Sequence, residues 1–94
     1  MKTIVWNNSF KRAFKGVIKR NPQLGEKIFS VLELLVNDPF CPPLKAHKLR
    51  GQLEGLWACW VESDGRIIYT FEQDNETPEE LIVLIDIGTH DEVY

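Results

Sequence analysis

Two histidines, His47 and His90, are the only imidazoles in the 94-residue sequence. They are also its clearest candidates for proton transfer, because histidine alone has an unperturbed pKa of about 6.5 and can both take and give a proton near neutrality. His90 follows the apolar run of "LIVLIDIGTHDEVY", with Gly88 and Thr89 just before it and Tyr94 four positions beyond. His47 comes from a distant segment, "FCPPLKAHKLRGQLEG". If the apolar run is an interior strand, its end and the preceding loop can meet on one edge of a sheet, so that two imidazoles share a cleft. Asp64 and Arg66 flank Gly65 and add a carboxylate and a guanidinium. Such a set could supply a base, an acid, a group that orients one imidazole, and a cation for an anionic centre. Each residue also has a plainer role: a surface loop for His47, the Asp-Gly turn for Asp64, charge balance for Arg66, an anchor for Tyr94, and packing for Trp57 and Trp60.

The elements that must position these residues follow from pattern. "TIVW" at residues 3–6 is a short β-prone run ended by "NNS", in which Asn8 or Ser9 suits a helix cap. From Phe10, the residues Phe10, Ala13, Phe14, Val17 and Ile18 recur at helical spacing, while Lys11, Arg12, Lys15, Lys19 and Arg20 take the remaining positions. Asn21-Pro22 stops that helix and starts another, whose stripe is Leu24, Ile28, Val31, Leu32 and Leu35 and whose end is Asn37-Asp38-Pro39. Residues 40–55 read as a loop, since Pro42 and Pro43 cannot join a ladder and Gly51 and Gly55 punctuate the rest. "LWACWV" and "RIIYTF" are strands joined by "ESDG", where Asp64-Gly65 favours a tight hairpin. "LIVLIDI" is the most apolar strand and is expected in the sheet interior, with Gly88 allowing a sharp turn after it. The expected fold is α+β over residues 1–94 as a single domain: a helical hairpin packed on a small, twisted, mainly antiparallel sheet.

Composition narrows the function. No stretch approaches a membrane span, and the start lacks the apolar core of a secretory signal, so a cytoplasmic protein is expected. Cys41 and Cys59 have no paired spacing and suggest neither a disulfide framework nor a zinc site. The net charge of −3 conceals an asymmetry: residues 1–50 sum to +7, residues 51–94 to −10. A basic half of this kind points to a polyanionic partner, or to internal pairing with the acidic half.

The sequence resembles the RelE/ParE superfamily of bacterial toxins over its whole length, and within it the YafQ-type branch of mRNA interferases. The resemblance is carried by "H-x-L-x-G" at His47, Leu49 and Gly51, by "G-L-W" before the first meander strand, by "R-I-I-Y", and by the closing "I-G-T-H-x-x-x-Y". It implies two helices on a small antiparallel sheet, in agreement with the pattern above. It also implies a cleavage site lined by His47, Asp64, His90 and Tyr94. Trp60 stands where relatives carry a catalytic His or Arg, Gly65 replaces a bulky aromatic, and Ile85 and Asp86 occupy positions where some relatives have an Arg.

The implied activity is that of a type II toxin that cuts mRNA in the ribosome by attack of a 2′-hydroxyl on the adjacent phosphate, without a metal or other cofactor. His47 and His90 would be base and acid in an order left open, Asp64 would support one imidazole, Arg66 would bind the phosphate and Tyr94 would stack on a base. Lys11, Arg12 and Lys15 on the first helix, with Lys45, Lys48 and Arg50 in the loop, would neutralise RNA phosphates. The implied partners are a cognate antitoxin, the ribosome and mRNA, with no membrane. Two other readings share the fold: a ParE-like gyrase-inhibiting toxin, and a catalytically weak RelE-fold protein that mainly binds its antitoxin.

Overall fold

The computed structural model describes residues 3–62, 65–76 and 78–89. The chain runs β1 (Thr3–Trp6), α1 (Asn8–Arg20), α2 (Leu24–Asn37), β2 (His47–Lys48), β3 (Trp57–Val61), β4 (Gly65–Gln73) and β5 (Glu80–Thr89), with short 3-10 turns at Pro42–Leu44 and Gly51–Leu53. The strands form one sheet in the order β1-β5-β4-β3-β2. Only β1 against β5 is parallel; the other pairs are antiparallel. The two-residue β2 lies inside the segment expected to be a loop. It has no alternation to betray it, and its ladder partners are Trp57 and Ala58.

Asn7 caps α1, its side chain accepting from the Ser9 N–H at 3.4 Å, one position before the expected cap. The second helix begins at Leu24, not at Pro22, because Pro22 and Gln23 form a turn closed by the Leu24 and Gly25 N–H groups on the carbonyls of Asn21 and Pro22. The helices meet closely at Gly25: a Cβ there would lie 2.6 Å from the Ile18 side chain. Phe10, Val17, Ile28, Leu32 and Leu35 then pack against Cys59, Val61, Ile67, Tyr69, Ile82, Leu84 and Ile87 on one face of the sheet. Trp6 fastens β1 to α1 through edge-on rings, Phe10 at 4.9 Å and Phe14 at 5.0 Å between centroids.

Burial decides the chemistry of two core groups. The Cys59 thiol is pushed up to about 12, first by burial and then by Cys41, so it stays protonated and inert. The Tyr69 phenol is likewise raised, by burial and then by Cys59, and its hydroxyl has no hydrogen-bond partner among the described residues. An unsatisfied buried hydroxyl is costly, so Tyr69→Phe is expected to stabilise the fold by about 1 kcal/mol, or about 4–8 °C in Tm for a domain of this size. Thermal unfolding followed by circular dichroism checks this, and a fall in Tm would show that the hydroxyl contributes to stability.

Candidate functional site

Alternation divides the sheet into two faces. With Cys59, Val61, Ile67 and Tyr69 turned to the helices, Ala58, Trp60, Arg66 and Ile68 point to the other face. Directly paired residues share a face, so the pairing of His47 with Ala58 puts its imidazole on that side too, and Trp60 and Arg66 stand side by side there. Lys48, paired with Trp57, points the opposite way, its ammonium 5.7 Å from the Trp57 ring centre.

His47 is exposed, and its orientation comes from its own chain. Nδ1 lies 3.0 Å from the backbone carbonyl oxygen of Lys45. A carbonyl can only accept, so Nδ1 carries the proton and donates, which leaves the lone pair on Nε2. The carbonyl is aimed by an uncommon backbone: Lys45 has φ 50° and ψ 40°, the left-handed region that a lysine seldom adopts. Its N–H bonds the Pro42 carbonyl at 3.1 Å, and its ammonium lies over the Trp60 ring, 4.9 Å from the centre. Lys45 thus fixes the tautomer of one residue and covers the ring of another. Nothing in the sequence marks this, since the left-handed position is filled by neither Gly nor Asn.

Arg66 is half-buried, and one of its five N–H donors is spent on the adjoining Gly65 carbonyl at 2.9 Å. Gly65 is the first residue of β4, paired with Val61, and so is not the centre of the turn. The hairpin is tight: Glu62 has φ 42°, the Gly65 N–H bonds the Glu62 carbonyl at 2.9 Å, and a Cβ at Gly65 would run into the Val61 carbonyl oxygen. The bulky aromatic of relatives has no room in this hairpin. Gly88 also differs from expectation, lying within β5 opposite Arg66, so the strand continues to Thr89.

Asp64, His90 and Tyr94 lie outside the described residues. The described neighbours of the first two, Gly65 and Thr89, are directly paired at one end of the sheet. From the register, His47 is three strands from β5. At ordinary spacings its Cα is roughly 14 Å across and roughly 10 Å along the sheet from Thr89. Lys11, Arg12, Lys15, Lys19 and Arg20 are all exposed on α1. Lys45, Lys48 and Arg50 are exposed around β2, where His47, Lys48, Arg50, Glu54 and Trp57 border a cleft of about 680 Å³. Among the described residues no cluster of His, Cys, Asp or Glu could hold a metal ion.

These features can be set beside known proteins. Residues 2–94 match the family model for YafQ, bacterial toxin of type II toxin-antitoxin system. The chain belongs to the YafQ family of bacterial toxins. No curated protein matches it in sequence. Among solved structures, YafQ from E. coli strain BL21(DE3) superposes with a TM-score of 0.79 at 24% identity, covering 100% of this chain and 99% of that one. YafQ in the E. coli DinJ-YafQ complex gives 0.77 at 25% identity with the same coverage. The YoeB/ParE toxin from Agrobacterium tumefaciens gives 0.76 at 22% identity over 96% of this chain and 99% of that one. The expected fold, two helices on a small, mainly antiparallel sheet, is therefore the fold of YafQ-family toxins. Among the described residues no helix is long and apolar enough to cross a membrane.

Proposed function

We propose that this YafQ-family toxin is a metal-independent endoribonuclease that cuts mRNA on the bacterial ribosome, acts in the cytoplasm as a single domain over residues 1–94, and is held inactive by a short antitoxin. The observation that carries the proposal is the 3.0 Å contact between His47 Nδ1 and the Lys45 carbonyl. It leaves the basic lone pair on Nε2 of an exposed imidazole, on the sheet face that also holds Arg66. His47 is then the base: Nε2 takes the proton of an RNA 2′-hydroxyl, and the oxygen attacks the adjacent phosphorus. The bond from phosphorus to the 5′-oxygen breaks, and that oxygen takes a proton from His90 as acid. The products are a 2′,3′-cyclic phosphate and a 5′-hydroxyl. Arg66 offsets the charge that builds on the phosphate, Asp64 supports His90, and Tyr94 stacks on a base. Lys45, Lys48 and Arg50 hold mRNA phosphates beside the site, while Lys11, Arg12 and Lys15 dock on ribosomal RNA.

The antitoxin part of the proposal is supported by family membership and by the complex that E. coli YafQ forms with DinJ. Expression of the chain alone in a bacterial host, followed by mapping of transcript 5′ ends after brief induction, tests the nuclease. Growth arrest with new 5′ ends in translated regions is expected. Arrest with a DNA-damage response and intact transcripts would favour gyrase inhibition, and no arrest a protein that only engages its antitoxin.

A further inference from the structure

Trp60 occupies the position where a proton-transfer residue is expected from the family resemblance, and its surroundings suit a different task. Trp60 lies on the outer sheet face by alternation and borders a cavity of about 330 Å³ with Val31 and Leu34 of α2; the half-buried residue is paired with Arg66 and has the Lys45 ammonium over its ring at 4.9 Å. A flat π surface with a cation on it and another at its side matches a nucleotide, which offers a flat base linked to anionic phosphates. An apolar peptide side chain would use the ring but neither cation. The ammonium is presented by a residue held in the left-handed region, a conformation that for a non-glycine residue persists only where the surroundings enforce it. The Pro42 and His47 hydrogen bonds to the Lys45 backbone provide that enforcement.

We infer that Trp60 and Lys45 form a stacking platform for one nucleobase of the RNA: the base takes the indole face that Lys45 covers in the free protein, and the displaced ammonium moves to the adjoining phosphate. The inference rests on the ribonuclease reading and assigns a substrate contact to a residue that has no part in proton transfer. Lys45 becomes a positioning residue on two counts, for His47 through its carbonyl and for the RNA through its ammonium.

The test uses programmed ribosomes carrying an mRNA whose codon bears 2-aminopurine and, to prevent cleavage, 2′-deoxyribose. Added toxin should quench the 2-aminopurine emission. Trp60→Phe should keep most of the quench, because it retains an aromatic face, whereas Trp60→Leu should abolish it and weaken binding by about 10- to 100-fold. Lys45→Met should preserve the quench and lower the salt dependence of binding. A matched Tm for Trp60→Phe and Trp60→Leu excludes misfolding as the cause. Wild-type binding and quenching by Trp60→Leu would overturn the platform, as would a defect confined to antitoxin binding, even if ordinary mRNA is still cut and the nuclease reading stands. Trp60-dependent quenching by a protein that leaves all-ribose mRNA uncut would sustain the platform and sink the nuclease reading. Absence of RNA binding by the wild type would remove both.

Discussion

His47→Ala is expected to lower ribosome-dependent cleavage by about a hundredfold or more, because a positioned base contributes about 10²–10⁴. The variant should fold normally, since His47 is exposed and lies on a two-residue edge strand, where substitutions change stability by about 0.5 kcal/mol or less. His47→Asn sharpens the test. Its amide can donate to the Lys45 carbonyl as Nδ1 does, but it cannot take a proton. If His47 merely braced the loop, Asn would restore activity; if it is the base, Asn stays as inactive as Ala. His90→Ala should cost a similar factor, and the double variant less than the product of the two, because acid and base act as a unit. Single-turnover cleavage of a defined mRNA on programmed ribosomes reads all four. A well-folded His47→Ala protein that cuts at the wild-type rate would remove the imidazole from the mechanism.

The second large effect is expected from α1. Converting Lys11, Arg12 and Lys15 to Glu should weaken ribosome binding by at least about tenfold at low salt, and should reduce the slope of log affinity against log salt by about 2 to 3, one phosphate contact per residue. The same change should leave the helix intact or slightly firmer. The first turn of α1, Asn8 to Lys11, has no acidic residue, and the helix dipole there favours negative charge by about 0.3–1 kcal/mol at Lys11, with Arg12 and Lys15 beyond its main reach. Binding and stability are thus expected to move in opposite directions, which separates loss of docking from loss of fold. Co-sedimentation with ribosomes across a salt series, with thermal unfolding alongside, checks both. Unchanged co-sedimentation would move the docking surface elsewhere.

How far the sequence carries can be seen residue by residue. The helical hairpin was legible because Phe10, Val17, Ile28, Leu32 and Leu35 recur at helical spacing, and all five are buried. The meander was legible from its β-branched and aromatic runs. The parallel pairing of β1 with β5 was not, because four residues carry no sign of which distant strand they join. β2 escaped for a related reason: two residues have no period, and its ladder partner is β3. Of the site, His47 and Arg66 could be named from chemistry, and the structure puts them on one face. The role of Lys45 was hidden because it depends on a backbone conformation that lysine does not advertise.

The parallel pairing also bears on when the toxin becomes active. β5 lies between β1 and β4 and receives α1 through the Ser9 hydroxyl on the Ile85 carbonyl at 2.6 Å and the Asn7 N–H on the Leu84 carbonyl at 3.2 Å. The meander of β2, β3 and β4 can assemble from neighbours in sequence, but joining residues 3–6 to 81–84 closes nearly the whole chain, and long closures come late because their entropy must be met first. Until β5 docks, α1 lacks the Ile82, Leu84 and Ile87 part of the surface against which Phe10 and Val17 pack, so its basic face is not fully held against the sheet that carries His47. On the proposed function, activity is therefore expected only once this last strand pairing has formed, and a substitution that pries β1 from β5 is expected to disarm the protein without touching a residue of its site.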